Sequence, residues 1–210
     1  MAGFLAIRRP LARQEMAMLP YLFSRVSLGF NVVERFLLKF LIASLAIFVL
    51  LNVFLRMFGI TFAWADEVSI YTMLLSGFVG ASLMLRARND PAVLLLHEFL
   101  PARGVRFMRI LVSSVSAGFG ILLFYICLRW FNPVALSRVG FDVSEFQAAT
   151  FNFIYTDVTS VMGIPTFLLY LIVPLFAVAI TVHAVTNLFE DFGLLERPSD
   201  PAGLKMDAST

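Results

Sequence analysis

This chain contains few of the residues on which soluble enzymes and nucleic-acid-binding proteins depend. Only 14% of its 210 residues are charged, the formal net charge is +2, and there are two histidines and one cysteine. Because the basic residues are scattered among apolar segments, no surface for nucleic acid is expected. The single cysteine, Cys127, excludes an internal disulfide and a thiolate metal cluster.

The sequence also lacks the residue constellations of known catalytic sites. His97 and His183 lie in separate segments without a metal-ligand spacing, so each is expected to be a polar tip at the membrane interface. Asp66 and Glu67 are neighbours, and on a helix their side chains diverge by about 100°. No Ser-His-Asp or Cys-His arrangement and no phosphate-binding glycine loop is present. We predict a protein that is not an enzyme and has no cofactor or metal; activity in the isolated chain would revive the alternative of a small membrane enzyme.

Apolar residues make up 60% of the chain, with 23 phenylalanines, which is typical of an integral membrane protein. A helix that crosses the hydrocarbon core needs about 20 mostly apolar residues. We predict an all-α protein with four transmembrane helices near 36–57, 65–85, 107–130 and 162–189. The first is expected to be retained, because basic residues extend far before it and no cleavage site follows it.

The distribution of basic residues predicts the orientation of these helices. Eleven of the sixteen cations precede or open the first span or lie between the second and third spans. They are Arg8, Arg9, Arg13, Arg25, Arg35, Lys39, Arg86, Arg88, Arg103, Arg106 and Arg109. Both termini are therefore predicted to be cytoplasmic.

Three regions are predicted along the chain: a cytoplasmic or interfacial segment at 1–35, a four-helix membrane domain at 36–192 and a disordered cytoplasmic tail at 193–210. Between the second and third spans, Asp90 is a candidate N-cap and Pro91 a first helical residue. The apolar stretch that follows them is too short to cross a bilayer, so we predict a short cytoplasmic helix in the membrane interface.

Inside the spans, small and kink-forming residues indicate helix packing rather than chemistry. The ionisable residues of the spans lie near span ends, where long side chains can reach the interface. An aromatic linker at 132–161 is expected to lie against the membrane or a partner. The residues assigned to helix packing are Asn52, Ser76, Gly77, Gly80, Gly120, Pro165 and Pro174.

The stretch RMFGITFAWADEV places charge between the first two spans. In one interpretation, Arg56 pairs with Asp66 or Glu67 and Trp64 anchors the turn at the headgroup layer. In the other, the same residues face a protein partner. The sequence leaves both interpretations open.

Several motifs in one order resemble a known family. Arg56 is followed by WADE at 64–67, GASLMLR at 80–86, LPARGVR at 100–106 and GIP at 163–165, with Pro174 nine residues on. This arrangement resembles the DctQ-type small membrane subunit of tripartite ATP-independent periplasmic (TRAP) transporters over roughly residues 30 to 190.

The resemblance implies a bacterial inner-membrane complex with a large membrane subunit and a periplasmic solute-binding protein as partners, driven by an ion gradient. This chain would then be a scaffold that braces the large subunit and helps dock the binding protein during uptake of an organic acid. Arg56, Trp64, Asp66 and Glu67 are the candidates for docking on the periplasmic face. The alternative is a four-span accessory or assembly subunit of another inner-membrane complex.

Overall fold

Helices dominate residues 3–88, 101–198 and 200–202, which the computed structural model describes, with the side chains of 3–17 and 102 excepted. An isolated antiparallel bridge joins Val158 to Pro165, and no strand is formed by these residues. The all-α prediction is therefore confirmed for the part of the chain described. In chain order the helices are α1 Gly3–Met57, α2 Ala63–Ala87, α3 Ala102–Phe131, α4 Pro133–Arg138, α5 Val143–Thr150, α6 Phe167–Tyr170 and α7 Ile172–Asp191.

Within the described residues, four helical stretches are long and apolar enough to cross a membrane, which confirms the predicted number of spans. They are Met18–Met57, Ala63–Ala87, Arg103–Arg138 and Phe167–Asp191. The first is much longer than the predicted 36–57, and α1 has no end near residue 35. Its earlier part contains Ser27, Asn31 and Glu34, which are spaced by four and three residues and are all buried. One helix face is thus packed well before the predicted span begins.

The fourth span begins later than the predicted residue 162. Residues 162–166 form turns and the bridge, and helix starts only at Phe167. The helix is interrupted at Leu171, between α6 and α7. Pro174 has no backbone N–H to donate to the carbonyl four residues earlier, which accounts for a break at this point.

Some predictions fall outside the described residues. The predicted interfacial helix with Asp90, Pro91 and His97 lies outside them, as do residues 203–210. Part of the predicted disordered tail is described: Asn31 donates from Nδ2 to the Pro201 carbonyl at 2.8 Å, and Ala202 is buried. This part of the tail therefore has defined contacts.

The contacts divide the chain into two compact units. The first comprises Met1–Val33, Ser82–Phe119 and Ala179–Thr210, and the second comprises Glu34–Ala81 and Gly120–Val178.

Buried polar side chains characterise the first unit. The prediction that His183 is an interfacial tip is wrong, because its side chain is fully buried and its Nδ1 lies 2.8 Å from the hydroxyl of Ser27. Thr186, one turn further on α7, donates to the Phe23 carbonyl at 3.3 Å. The polar positions of α1 and α7 meet each other, which satisfies groups that would be costly to bury alone.

Aromatic rings characterise the second unit, where the linker at 132–161 packs on its own chain. The Tyr155 ring lies 5.3 Å from both Phe146 and Phe167, and its hydroxyl donates to the Phe131 carbonyl at 2.7 Å. Asn152 donates from Nδ2 to the Trp130 carbonyl at 2.6 Å. These bonds fix the linker on the end of α3, whose last carbonyls lack helical partners.

Candidate functional site

The turn between α1 and α2 is a well-formed helix cap. Gly59 has φ 73°, a left-handed conformation that glycine adopts without a Cβ penalty. The Ile60 N–H donates to the Leu55 carbonyl at 3.1 Å, and the Gly59 N–H donates to the Arg56 carbonyl at 3.0 Å. This is the Schellman arrangement, which satisfies two terminal carbonyls of α1. The turn sets the direction in which α2 starts and so places Asp66 near Arg56.

Asp66 connects both helices through its two carboxylate oxygens. Arg56 donates from Nη2 to Oδ2 at 2.8 Å, and Asn52 donates from Nδ2 to Oδ1. Both charged side chains are about half exposed, at 57% for Arg56 and 51% for Asp66, whereas Asn52 is buried. The carboxylate also lies in the first turn of α2, where the helix dipole favours negative charge. Of the two acids that the sequence offered to Arg56, the structure therefore pairs it with Asp66.

Glu67 has a different role in the structure. Its Oε2 accepts from the Met162 N–H at 2.8 Å, and the Val161 N–H lies 3.2 and 3.3 Å from its two oxygens. Residues 161–162 belong to the turn that is closed by the Val158–Pro165 bridge. Glu67 thus holds this turn against the start of α2, a contact that no local sequence spacing indicates.

Trp64 lies at the surface beside these groups. Its ring contacts Phe48 at 6.1 Å and Phe62 at 5.8 Å, and part of it stays exposed. The end of α1 and the start of α2 therefore expose a guanidinium, a carboxylate and part of an indole, while Glu67 holds the turn at 161–162. Such a mixture of an aromatic ring and exposed charge is suited to binding a protein surface.

The residues assigned to helix packing are placed differently from one another. Ser76 donates from its hydroxyl to the Met73 carbonyl of its own helix at 2.8 Å. A Cβ at Gly80 would lie 3.9 Å from Leu38 Cδ1, an ordinary contact, and Gly120 is buried. A Cβ at Gly77 would meet nothing within 4 Å. Gly77 is therefore on an open face of α2.

That open face contributes to an apolar groove in the second unit. The groove has a volume of about 440 Å³ and is lined by Ile70, Met73, Leu74, Gly77, Phe78, Ala81 and Phe176. Small residues at Gly77 and Ala81 are one helical turn apart, a spacing that permits close approach of another helix. Pro165 and Pro174 are half-buried and lie at the bridge and in the first turn of α7.

The first unit contains a buried group of charges that is not among the residues predicted from the sequence. Arg86 is fully buried and donates to Glu190 Oε1 at 2.6 Å and to Asn187 Oδ1 at 2.5 Å. Arg88 donates to both oxygens of Asp191, at 2.7 and 2.8 Å. The side chains of Arg86 and Glu190 are only 0% and 1% exposed. We name the set Arg86, Arg88, Asn187, Glu190 and Asp191 the buried ion-pair cluster.

Within the described residues, no three His, Cys, Asp or Glu side chains are placed to hold a metal ion. The charges instead form ion pairs and hydrogen bonds that join helices or hold a turn. The sequence did contain a signal for the buried cluster, since Arg86 and Arg88 end the second span and Glu190 and Asp191 end the fourth. The predicted topology places the ends of the second and fourth spans on the same side of the membrane. Opposite charges at these two ends can therefore form ion pairs.

Comparisons with known proteins agree on one family. The family model described as "Tripartite ATP-independent periplasmic transporters, DctQ component" matches residues 45–194. A curated relative is the C4-dicarboxylate TRAP transporter small permease protein DctQ of Vibrio cholerae serotype O1, which is 24% identical over 124 residues. That alignment covers 59% of this chain and 53% of the relative, so the match spans about half of the relative's length. No solved structure matches the chain.

Proposed function

The chain belongs to the DctQ component family of TRAP transporters, and we propose that it is the small scaffold subunit of such a transporter. In this role it braces the large membrane subunit and helps dock the solute-binding protein. The observation that carries the proposal is the match over residues 45–194, which runs from within α1 past the end of α7.

The distribution of charged residues supports a division of roles between this chain and the large subunit. The sequence has no Asp, Glu, Lys or Arg at 68–85, 110–128 or 167–189, the central parts of the last three spans, or at 40–55, within the second half of the first helical stretch. A path for ions normally needs ionisable groups at membrane depth. We therefore place the ion and solute path in the large subunit, with this chain beside it. The open groove at Gly77 is a candidate surface for the bracing contact.

The orientation in this proposal is that of an inner-membrane protein with both termini cytoplasmic. Its support is the eleven cations that precede or open the first span or lie between the second and third spans. In this orientation the turn at 58–62 and the start of α2 are on the periplasmic face. Reporter fusions at Ala63 and Asn89 test it, with periplasmic and cytoplasmic signals expected respectively, and the reverse pattern would contradict it.

The proposed docking surface consists of Arg56, Trp64, Asp66 and Glu67. Arg56 and Asp66 are half exposed and Trp64 is partly exposed, so three of the four can reach a partner without rearrangement. Glu67 contributes through the turn that it holds at 161–162. An ion pair that is exposed in the free subunit and desolvated on docking can affect binding strongly.

The solute proposed for this transporter is an organic acid. The support is the name of the Vibrio cholerae relative, a C4-dicarboxylate TRAP transporter small permease protein. Selection of the acid is assigned to the binding protein and the large subunit, since this chain has no cation at 40–55, 68–85, 110–128 or 167–189 to bind a carboxylate.

The docking proposal is tested by measuring the Kd of the solute-binding protein for the complex of large and small subunits in lipid nanodiscs. Arg56→Ala is expected to weaken binding at least tenfold, which corresponds to about 1.4 kcal/mol. The matched control is Arg138→Ala, another exposed arginine in the second unit, which should leave the Kd within about twofold. Equal Kd values for wild type and Arg56→Ala would reject Arg56 as a docking residue, whereas failure of the two membrane subunits to copurify would reject the bracing role.

A further inference from the structure

Four arginines surround the end of α7 in the first unit. Arg88 contacts the Asp191 carboxylate, and Arg106 donates from Nε to the Asp191 backbone carbonyl at 3.2 Å. Arg109 lies one turn after Arg106 on α3, and Arg197 follows the end of α7. We name Arg88, Arg106, Arg109 and Arg197 the arginine cluster.

The charges around this cluster do not balance. Glu190 and Asp191 are already bonded to Arg86 and Arg88. Arg106 contacts a backbone carbonyl, and within the part of the chain that the structure describes neither Arg109 nor Arg197 forms an ion pair. Among the described residues, and counting Arg86, five guanidinium groups are thus placed around the two carboxylates of Glu190 and Asp191. The surplus of positive charge favours an anion at this position.

Two further observations indicate that these cations affect one another. The pKa of Arg197 is lowered from its ordinary value, first by partial loss of solvent and then by repulsion from Arg88 and Arg109, while Glu190 and Asp191 act in the opposite direction. Arg88 is only 10% exposed, and its buried Nε has no hydrogen-bond acceptor among the residues that the structure describes. An anion with several oxygens would reduce the repulsion among these arginines and supply an acceptor for Arg88 Nε.

We propose that the arginine cluster binds the phosphate group of an anionic membrane phospholipid. The cluster lies at the ends of three candidate spans, after α2, at the start of α3 and at the end of α7, which is the level at which headgroups are found. Phe107, Phe192 and Leu194 are close in sequence to its arginines and are exposed. Guanidinium groups for the phosphate and apolar side chains for the acyl chains together fit a lipid better than a free anion.

This inference concerns the first unit and does not depend on the docking role of Arg56. The experiment measures thermal unfolding of the purified full chain in a neutral detergent during titration with phospholipid. The half-maximal concentration for stabilisation by phosphatidylglycerol is expected to be at least tenfold lower than that for phosphatidylcholine with the same acyl chains. In the double variant Arg109→Gln/Arg197→Gln, this preference should fall to about twofold or less.

The matched control is Arg129→Gln/Arg138→Gln, which removes the same charge from exposed positions outside the cluster and should keep the preference. Arg197→Gln alone removes a side chain without an ion pair, so it provides a folded variant if the double variant unfolds; it should reduce the preference at least threefold. Equal stabilisation by the two lipids would overturn the proposal, as would equal losses in the cluster and control variants. Stabilisation by inorganic phosphate equal to that by phosphatidylglycerol would overturn the assignment to a lipid.

Discussion

Two arginine–carboxylate pairs in this protein have nearly the same geometry in opposite surroundings. Arg56 and Asp66 are 2.8 Å apart in the second unit and about half exposed, whereas Arg86 and Glu190 are 2.6 Å apart in the first unit and fully buried. Water competes with the exposed pair and screens its attraction. The buried pair has lost its water, so each partner depends on the other. The distance between the charged atoms therefore does not by itself determine how much each ion pair contributes to stability.

The supporting groups extend this contrast. Arg86 is also bonded to Asn187, whose Nδ2 donates in turn to the Leu85 carbonyl at 3.0 Å. The bonds therefore join the end of α2 to α7 through charge and backbone together. At the exposed pair, Asn52 supplies one additional donor to Asp66. We infer that the buried ion-pair cluster determines helix association, while the exposed pair remains available to a partner.

The largest effect is expected from Arg86→Leu, which leaves Glu190 buried without its main partner. Removal of one member of a buried pair costs about 3 to 5 kcal/mol. The free energy of unfolding, measured by denaturing-detergent titration in micelles, should fall by that amount. Arg56→Leu makes the same chemical change at the exposed pair and should cost no more than about 1 kcal/mol. Equal losses of stability in the two variants would contradict the view that burial makes the Arg86–Glu190 pair the stronger one.

The double variant Arg86→Leu/Glu190→Leu sharpens the same test. If the cost of Arg86→Leu comes from an uncompensated charge, then removing that charge as well should recover most of the lost stability. Arg88 keeps its bonds to Asp191 in this variant. A double variant as unstable as the sum of both single changes would show that packing rather than charge determines the cost.

The sequence predicted the helical class and the number of spans, because these follow from apolar runs, and it offered the pairing of Arg56 with an acid as one of two interpretations of a short turn. It did not predict the buried ion-pair cluster, whose partners Arg86 and Glu190 are 104 positions apart in the chain. Periodicity describes one helix at a time and cannot say which helix ends meet. The burial of His183 was missed for the same reason, since its partner Ser27 is 156 positions away.

The start of the fourth span shows another limit. Residues 162–166 look as apolar as the helix that follows, yet they form a turn. The Thr159 N–H donates to the Ile164 carbonyl at 2.8 Å, and the Gly163 N–H donates to the Thr159 carbonyl at 3.1 Å. Gly163 takes a left-handed φ of 66° in this turn. Hydrophobicity indicates burial or membrane contact but does not separate a helix from a tight turn of apolar residues.

A second prediction concerns Glu67, whose exposure lies between that of the buried Arg86–Glu190 pair and that of the exposed Arg56–Asp66 pair. Glu67→Ala removes the acceptor for the N–H groups of Val161 and Met162, and a hydrogen bond to a charged group is worth about 1.5 to 3 kcal/mol. Since this site is partly solvated, we expect the low end, about 1.5 kcal/mol, as roughly tenfold faster hydrogen exchange at these two amides. Glu67→Gln keeps an acceptor oxygen and should show a smaller increase. Unchanged exchange in Glu67→Ala would contradict the holding role.

A third prediction concerns Tyr155, a half-buried uncharged donor in the second unit. Tyr155→Phe removes the bond to the Phe131 carbonyl and keeps the ring, so the free energy of unfolding should fall by about 1 kcal/mol. Burial raises the pKa of Tyr155, because it disfavours the phenolate. The contribution of this hydroxyl is therefore present below the ordinary pKa of about 10 and is lost as pH rises through the raised folded value. Unfolding measured from pH 8 to 11 should decline less steeply in Tyr155→Phe than in the wild type.

The smallest effect on stability is expected at the exposed pair. A small loss there would indicate that Arg56 is not needed for folding. Arg56→Ala removes a bond between two half-exposed side chains, and such pairs contribute about 0.2 to 1 kcal/mol. The loss should shrink further in salt, because screening acts over about 8 to 10 Å at ordinary ionic strength. Unfolding measured at two salt concentrations checks this, with Asp66→Asn as the matched change on the other partner. A stability loss above about 2 kcal/mol would show that Arg56 mainly supports the fold, since the side chain would then be strongly coupled to its own subunit. A small loss of stability, combined with weaker docking of the binding protein, would instead show that Arg56 acts in binding and contributes little to folding. A change at the buried Arg86 cannot show this, because it also destabilises the fold.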